Sequence, residues 1–316
     1  MRKLVLLCAS FCAVLVLISA SPVQAQTIAW VSPTGSNTGS TCSETAPCAT
    51  FQYVLSAVTG VTNINCLGSG NYGGNTSALV ITKSIVIDCG AGNVGTVAPG
   101  AGNAISIQTS ASATVVLRHL SITGVEGINA ETDFFGGTLV VEDCLIQGTG
   151  ANNSGIGFSP GAGSRSLLQV SNTKVQNFGV GISITPFSTV IATAILDGVE
   201  SSQNVLDGIV LGGTGVVAGV MRNSRVNGNA QDGVLAQGSA ASFQAYFTIE
   251  ESSIIANIGN GVHTTSTNAF LNVGASTIGA NGTGVKVEAG SIISFGNNQM
   301  SVNGSNGRFT STTPLQ

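Results

Sequence analysis

The sequence has little charge, few aromatic rings and few of the residues that favour helices. Charged residues make up 8% of its 316 positions and aromatic residues 5%, whereas about 25% charge is usual in a globular protein. Lys, Arg, Glu and Met are scarce, which argues against a helical protein. With ten Lys and Arg against fourteen Asp and Glu, the chain also lacks the basic excess that nucleic-acid binding requires.

Metal ligands and membrane-spanning stretches are scarce as well. The chain has two His and no Cys-x-x-Cys pair, so it predicts no metal site of the zinc type. Beyond Ala25, no stretch is long and apolar enough to span a bilayer. What the chain does contain is 43% hydrophobic residues, 43 Gly and many Val, Ile and Thr. This composition favours strands over both helices and disorder.

The segment that ends at Ala25 has the pattern of a secretory signal peptide. Arg2 and Lys3 precede an apolar run over residues 4–20, and a small-x-small cleavage pattern ends at Ala25. A membrane anchor is the alternative, but the apolar run is short and ends in the cleavage pattern. We therefore expect an exported protein that begins at Gln26 and is secreted or held in the periplasm or cell envelope.

Five cysteines follow this segment, and an exported protein can keep disulfides. Cys42 and Cys48 flank a turn-rich segment, so we expect them to close a small loop. The spacing from Cys66 to Cys89 is about one turn of the repeat described next, so a disulfide is expected there too. Cys144 lies in a strand-like segment with no His or Lys nearby, which favours a buried, inert thiol over a reactive one.

A short repeat runs through most of the chain. Gly followed by a branched apolar residue recurs from Gly127 to Gly284 at a nearly regular spacing of about 25 residues. In several repeats an Asn stands four positions before the Gly. These pairs are Asn177 with Gly181, Asn204 with Gly208, Asn229 with Gly233, and Asn257 with Gly261.

The repeat predicts a solenoid built from strands. Each unit contains two or three short strands separated by Gly, Asn, Ser and Thr, and none has a helical period. A unit of about 25 residues cannot bury its own apolar face, so successive units must stack. We therefore predict an all-β, single-stranded parallel β-helix of about ten turns, right-handed because no hexapeptide period is present. The Asn and Gly residues receive structural roles: Asn side chains bond from turn to turn, and Gly makes tight corners, often with positive φ.

The ends of such a coil need covers, because unpaired strand edges invite association. Phe51, Val54, Leu55 and Val58 follow helical spacing, which predicts a short capping helix over residues 49–58. We divide the chain into a signal peptide (1–25), an N-terminal cap region (26–60), the β-helix (61–309) and a C-terminal tail (310–316). Another subunit is the alternative cover for the last turn.

Several segments of the mature chain carry a family resemblance. They are residues 30–32 (WVS), 46–51 (APCATF), 64–67 (INCL), 71–74 (NYGG), 81–89 (ITKSIVIDC) and 294–298 (SFGNN). With them the chain resembles the right-handed parallel β-helix proteins of the pectin-lyase-like superfamily, and within it a group of secreted bacterial β-helix repeat proteins. No catalytic residues are established for that narrow group, so the resemblance implies none here.

The broad superfamily includes enzymes that act on polysaccharides, which makes a lyase or a glycoside hydrolase an alternative. The related hydrolases need clustered Asp residues, and this chain has no Asp-Asp or Asp-x-Asp. The related lyases hold calcium with several carboxylates beside an Arg or Lys, and no such set is evident. The remaining candidates for acid–base chemistry or calcium binding are Asp143, Glu142, His119 and Glu126, with Arg118, Glu131 and Asp133 close by in the sequence.

We favour a structural interpretation of these polar residues. The carboxylates fit solvated turns, and His119 fits a partly buried strand. Asp143, Asn172, Asp197 and Asn223 each stand ahead of a strand, which predicts a column of turn-capping side chains and no active site.

The function expected from the sequence is binding without catalysis. We predict an exported β-helix whose long face binds polysaccharide or another surface component, with no cofactor and with calcium as an open alternative. An enzyme of the pectin-lyase-like fold, and an oligomeric adhesin or fibre element, are the competing functions. Sugar binding would be favoured by exposed aromatic side chains, for which the candidates are Phe134, Phe135, Phe158, Phe178, Phe187, Tyr246 and Phe247.

Overall fold

The computed structural model describes residues 27–74, 77–90, 92–100, 102–110, 112–130, 137–150, 153–161, 165–238 and 240–313. The signal peptide therefore lies outside the described residues, as do Glu131, Asp133, Phe134 and Phe135. Within the described ranges the chain is a right-handed parallel β-helix with one short helix, as predicted. We call each turn of this solenoid a coil. No helix in these ranges has the length and apolarity needed to cross a membrane.

Three parallel sheets form the walls of the solenoid, with strands numbered in chain order. The first sheet has twelve strands: β1 (Thr27–Val31), β2 (Val61–Cys66), β5 (Ile85–Asp88), β8 (Thr114–Arg118), β11 (Gly137–Glu142), β14 (Arg165–Ser171), β17 (Ile191–Asp197), β20 (Val216–Arg222), β23 (Gln244–Glu250), β26 (Ala269–Gly274), β29 (Ser291–Ser294) and β32 (Ser311–Thr312). The second has ten: β3 (Gly70–Asn71), β6 (Gly95–Val97), β9 (Leu120–Gly124), β12 (Leu145–Gly148), β15 (Lys174–Gln176), β18 (Glu200–Ser202), β21 (Arg225–Asn227), β24 (Ser253–Ile255), β27 (Thr277–Gly279) and β30 (Gln299–Ser301). The third also has ten: β4 (Leu79–Ile81), β7 (Asn103–Ile107), β10 (Glu126–Ala130), β13 (Ser154–Phe158), β16 (Val180–Ile184), β19 (Ile209–Leu211), β22 (Val234–Ala236), β25 (Asn260–Thr264), β28 (Thr283–Val287) and β31 (Ser305–Gly307).

The core consists of columns of branched side chains that stack from coil to coil. In the third sheet one inward column is in register over eight coils. Each of its members is at most 1% exposed, so each contributes roughly 1.5–3 kcal/mol of hydrophobic stabilisation. The column contains Ile105, Ile128, Ile156, Ile182, Ile209, Val234, Val262 and Val285. The Gly-plus-branched-residue repeat is therefore the sequence signature of this inward column.

The Asn residues form a ladder between the second and third sheets, but one predicted member is wrong. The side-chain amide of Asn204 donates to Oδ1 of Asn229 at 2.8 Å, and the same bond continues to Asn257, Asn281 and Asn303. Asn177 is not in this column; Phe178 occupies the place and donates its backbone N–H to Oδ1 of Asn204. Spacing to the repeat Gly misled the prediction, because the connecting turn varies by one residue.

The repeat glycines are needed for space rather than for an unusual backbone angle. None of Gly181, Gly208, Gly233 and Gly261 has a positive φ, so the positive φ expected at many repeat glycines is absent at these four. A Cβ on any of them would lie 2.6–2.7 Å from the carbonyl oxygen of the glycine in the next coil. The glycines therefore allow adjacent coils to approach closely beside the Asn ladder.

The N-terminal end is covered by a helix and by a disulfide loop. Helix α1 (Phe51–Ala57) buries Phe51 against the core. Its Gln52 side chain accepts the N–H of Val80 on β4, the first strand of the third sheet. The loop closed by the Cys42–Cys48 disulfide bonds to the outer edge of β1 through Trp30. The helix and the disulfide loop both make hydrogen bonds to backbone groups at strand edges that would otherwise be unpaired.

The second disulfide joins Cys66 and Cys89, so both expected pairings are present. Their Cα atoms are 4.5 Å apart on adjacent coils. At the other end of the solenoid, β32 pairs with β29 and extends the first sheet. Residues 311–312, which the sequence assigned to a tail, are therefore part of the β-helix.

Candidate functional site

Two of the catalytic candidates lie side by side at the corner between the first and second sheets. His119 follows β8 and Asp143 follows β11, and both adopt a left-handed backbone that turns the chain into the second sheet. Nδ1 of His119 is 2.8 Å from Oδ1 of Asp88, and Nε2 is 3.8 Å from Oδ2 of Asp143. The imidazole is 26% exposed and thus sits between two carboxylates from neighbouring coils.

This corner, which we call the His119 corner, opens on a cavity of about 410 Å³ lined by His119, Asp143 and the apolar residues Val94 and Leu145. Beside it, Glu142 is paired with Arg118 and does not face the imidazole. Glu126 is elsewhere, because it begins β10 in the third sheet and accepts a hydrogen bond from Asn129. The structure therefore unites His119 with Asp143 and adds Asp88, but it separates Glu126 from them.

Charged side chains continue along the same corner as ion pairs between coils. Lys174 pairs with Glu200 at 2.9 Å, and Arg222 pairs with Asp197 at 3.0 Å. A hydrogen bond from Asn223 and the pairing with Arg222 lower the pKa of Asp197. Asp197 ends its strand and Gly198 makes the turn, so Asp197 does not share the turn position of Asp143, Asn172 and Asn223.

A larger cleft, about 560 Å³, lies on the outer face of the third sheet; we call it the third-sheet cleft. Four polar side chains and apolar Val210 contribute to its lining, together with glycines. Thr185, Gln237 and Thr265 each follow a third-sheet strand, and each donates its backbone N–H to the carbonyl that ends the strand one coil earlier. They form one wall because this position recurs in every coil. Thr214 is the fourth polar residue.

The floor of the cleft leads to a second histidine. Val210 is paired in register with Leu235, which is paired with His263, which is paired with Lys286. Val210 and Leu235 are buried, yet they lie outside the hydrophobic core, so they face outward beneath the loops. The wall also continues, because Glu288 follows β28 and bonds to Thr264 as the other wall residues do to their neighbours.

His263 is surrounded by charge at this end of the cleft. Its Nδ1 is 2.6 Å from Oδ2 of Asp232, and its Nε2 is 3.5 Å from Oε1 of Glu288. Glu288 is in turn 2.7 Å from Nζ of Lys286. The imidazole is 10% exposed, and Asp232 also accepts two hydrogen bonds from Asn260. We call Asp207, Asp232, His263, Lys286 and Glu288 the His263 cluster.

The carboxylates of the His263 cluster have pKa values shifted in opposite directions. Burial raises the pKa of Asp207, whose carboxylate accepts the N–H of Asp232. Burial also acts on Asp232, but the hydrogen bonds from His263 and Asn260 outweigh it and lower the pKa. The bond from Lys286 lowers the pKa of Glu288. Neither Asp232 nor Glu288 is therefore held protonated as a catalytic acid would be.

The sequence interpretation missed the His263 cluster. Most of its members lie far apart along the chain, and Asp232 and His263 are separated by 31 positions. One signal was present: Asp207 and Asp232 both stand directly before a repeat glycine, so the repeat places them on adjacent coils. Among the described residues, no group of three His, Cys, Asp or Glu could hold a metal ion.

The remaining candidates divide into buried and exposed side chains. Phe158, Phe178 and Phe247 belong to the core, whereas Phe187 is 43% exposed in the loop after Thr185. Tyr246 is also exposed and stacks on Phe270 on the outer face of the first sheet. Cys144 is buried, and burial raises its pKa to about 12, so the thiol is inert at neutral pH.

Among solved structures, the chain is similar to two parallel β-helix proteins. The crystal structure of pectate lyase Pel9A matches with a TM-score of 0.60 and 16% sequence identity, covering 90% of this chain and 79% of that chain. The crystal structure of the periplasmic alginate epimerase AlgG matches with a TM-score of 0.46 and 14% identity, covering 80% and 72%. No family model and no curated protein matches the chain. The likeness to the pectate lyase shows the fold alone, and it confirms the predicted right-handed parallel β-helix.

Proposed function

We propose that this protein is an exported polysaccharide-binding β-helix without catalytic activity, and that it binds its ligand in the third-sheet cleft. The main support for this proposal is the composition of that cleft. Thr185, Thr214, Gln237 and Thr265 contribute polar side chains to the lining around the apolar residue Val210. An apolar surface with a few directed polar groups is typical of a ligand site.

The cleft offers the chemistry that a sugar chain needs. Sugar hydroxyls donate and accept hydrogen bonds, and so do the side chains of Thr and Gln. Phe187, which is exposed two residues after the lining residue Thr185, offers an aromatic ring on which the apolar face of a sugar can stack. Because the wall residues repeat from coil to coil at the strand spacing of about 4.8 Å, the cleft suits an extended chain.

Absence of catalysis is proposed from the same residues. Glycoside hydrolysis uses a protonated acid and a second carboxylate on opposite sides of the bond. The described lining of the cleft contains no carboxylate, and the nearest wall carboxylate, Glu288, is paired with Lys286. The two disulfides support export, since disulfides persist outside the cytoplasm.

The test is binding by the full mature protein to an array of immobilised polysaccharides, followed by titration calorimetry on the best ligand. We expect Gln237→Ala to weaken binding about tenfold, which corresponds to the loss of one or two hydrogen bonds. Gln231→Ala is the matched control, because Gln231 is exposed but does not line the cleft. Equal affinities for both variants and the wild type, or no binding to any polysaccharide, would overturn the proposal.

Acid–base chemistry at the His119 corner is the second candidate function. It is favoured by one observation, namely that His119 lies between Asp88 and Asp143 beside a 410 Å³ cavity. An enzyme of this kind would release reducing ends or unsaturated products from polysaccharides. The candidate requires that Asp143→Asn abolish such an activity while Glu251→Gln, at the corresponding turn of a later coil, leaves it intact. If no polysaccharide yields a product, this second candidate function is excluded.

A further inference from the structure

The third-sheet cleft contains no charged side chain in its described lining. The residues nearest in the chain to the lining, including Ser239 next to Gly238, are uncharged as well. In an acidic protein whose cations are few, this leaves the bound ligand with no cation to pair with. Arg binds carboxylates by paired, charge-assisted hydrogen bonds, and Lys binds them as a point charge.

The charges that border the cleft are mainly acidic. Asp207 stands three residues before Val210 of the floor, and Asp232 stands three residues before Leu235, the neighbour of Val210 in register, so each aspartate Cα atom lies within about 10 Å of the Cα atom of that residue. Glu288 continues the cleft wall one coil beyond Thr265. The distance of about 10 Å for the two aspartates is close to one Debye length at physiological ionic strength, so salt does not fully screen their repulsion of a charged ligand.

Lys286, the lysine at this end of the cleft, is already neutralised. It is 2.7 Å from the Glu288 carboxylate, which raises the pKa of the lysine and keeps the pair ionised. His263 is held by Asp232 at 2.6 Å and is buried beneath this pair. With these pairings satisfied, the cluster retains the negative charge of the remaining carboxylates.

From these observations we infer that the ligand of the third-sheet cleft is an uncharged saccharide chain and not a polyuronate. A uronate carboxylate would lose hydration on entering the cleft, would gain no cation there, and would be repelled by the acidic side chains. A neutral sugar pays neither cost and uses the same Thr and Gln hydrogen bonds. This inference rests on the proposed function of the cleft as a polysaccharide site.

The experiment compares neutral and uronate polysaccharides in one binding assay. Mannan, galactan, β-glucan and dextran are the neutral probes, and polygalacturonate, alginate and a glucuronan are the charged ones. We expect a neutral probe to bind at least tenfold more tightly than any charged one, with Gln237→Ala weakening it and with less than a twofold change between low and high salt. A polyuronate as the best ligand, still sensitive to Gln237→Ala, would overturn the inference but keep the proposed function; no binding at all would overturn both.

A charge insertion tests the physical cause. Thr265→Lys places a cation in the cleft, whereas Thr267→Lys places it on an exposed position of the same loop outside the lining. We expect the first variant to raise the signal of the uronate probes at least fivefold over the wild type, and the second to leave it unchanged. Equal uronate signals from both variants and the wild type would show that the missing cation is not what excludes these probes.

Discussion

The two halves of the solenoid hold their coils together by different means. The N-terminal coils carry both disulfides and the capping helix α1. The C-terminal coils instead carry the Asn ladder from Asn204 to Asn303. They also carry a second ladder of buried hydroxyls, in which the N–H of Ser224 donates to Oγ of Ser252 and that of Ser252 to Oγ of Ser276.

The difference shows two solutions to one problem. Corners of a solenoid bury backbone groups that must be bonded, and each coil must also stay in register with the next. A disulfide fixes the register mainly by restricting the unfolded chain. A side-chain ladder does it by satisfying the corner N–H groups in the folded state. The lining of the third-sheet cleft runs from Thr185 to Thr265. The cleft therefore lies on the coils that carry the Asn ladder and on the coil just before them.

The largest effect should come from breaking the Asn ladder in the middle. Oδ1 of Asn229 accepts both the backbone N–H and the side-chain amide of Asn204. Asn229→Gly leaves these buried donors unpaired, at about 1–3 kcal/mol each, so we expect a loss of about 4 kcal/mol in the free energy of unfolding. Urea denaturation followed by circular dichroism measures it. Asn177→Gly is the control, because Asn177 has a positive φ outside the ladder; equal losses for the two variants would contradict the ladder's role.

Removal of the Cys66–Cys89 disulfide should have the next largest effect. This bond closes a loop of 23 residues, for which chain entropy gives a stabilisation of about 3 kcal/mol. The double variant Cys66→Ala/Cys89→Ala is expected to lose that amount in urea denaturation. Removing the Cys42–Cys48 bond, which closes a much shorter loop, should cost about 2 kcal/mol. A reversed order would show that the shorter bond does more than cover the edge of β1.

Two aspartates on adjacent C-terminal coils should respond in opposite directions. The pKa of Asp232 is lowered, so its stabilisation is present above the usual Asp pKa of about 4 and is lost as pH falls through the folded value. Asp232→Asn should cost about 2 kcal/mol at pH 7, because the charge-assisted bond to His263 is lost.

The pKa of Asp207 is raised, so its contribution is full below pH about 4 and is lost as pH rises through the folded value. Asp207→Asn keeps an oxygen for the N–H of Asp232, and it should gain up to about 1 kcal/mol at pH 7 and nothing at pH 3. Thermal unfolding at both pH values checks the pair. A loss of stability at pH 7 in both variants would contradict the opposite pKa shifts.

The smallest effect is expected for Cys144→Ser, which makes an N-terminal coil resemble the C-terminal ones. Cys144 holds the place that Ser224 and Ser252 hold later, with its sulfur 3.1 Å from the carbonyl two residues earlier. We expect a change within about 0.5 kcal/mol, because the hydroxyl can make the same bond. The native thiol should also resist modification by a thiol reagent until the protein unfolds. A loss as large as that from removing a disulfide would show that sulfur packing matters at this corner.

Much of the fold was predictable because the solenoid repeats one local pattern. The Gly-plus-branched-residue spacing identified the inward column of the third sheet, and the spacing of Cys66 and Cys89 identified a bond between adjacent coils. The Asn177 prediction was wrong because turn length changes by one residue, which sequence spacing alone does not reveal. The signal peptide and the oligomeric alternatives stay predictions, whereas the predicted C-terminal boundary of the β-helix was corrected by the pairing of β32 with β29.

The candidate site was only partly predictable. His119 and Asp143 were candidates because stacking of successive repeats could bring them together, but their partner Asp88, which lies 31 positions before His119, was not a candidate. Glu126 was a candidate for the same reason and lies in a different sheet. The third-sheet cleft gave no local signal at all, since Thr185, Gln237 and Thr265 are ordinary polar residues until the coils stack.

Patterns within one or two repeats were enough to predict the class of fold, the stacking period and the disulfides. Which side chains meet on the outside of the solenoid depends instead on how the coils stack. The register between coils controls these contacts. A shift of one residue removes a side chain from its stacked column or turns it to the other face of the sheet. The Asp232–His263 contact and the uncharged cleft beside it are products of that register.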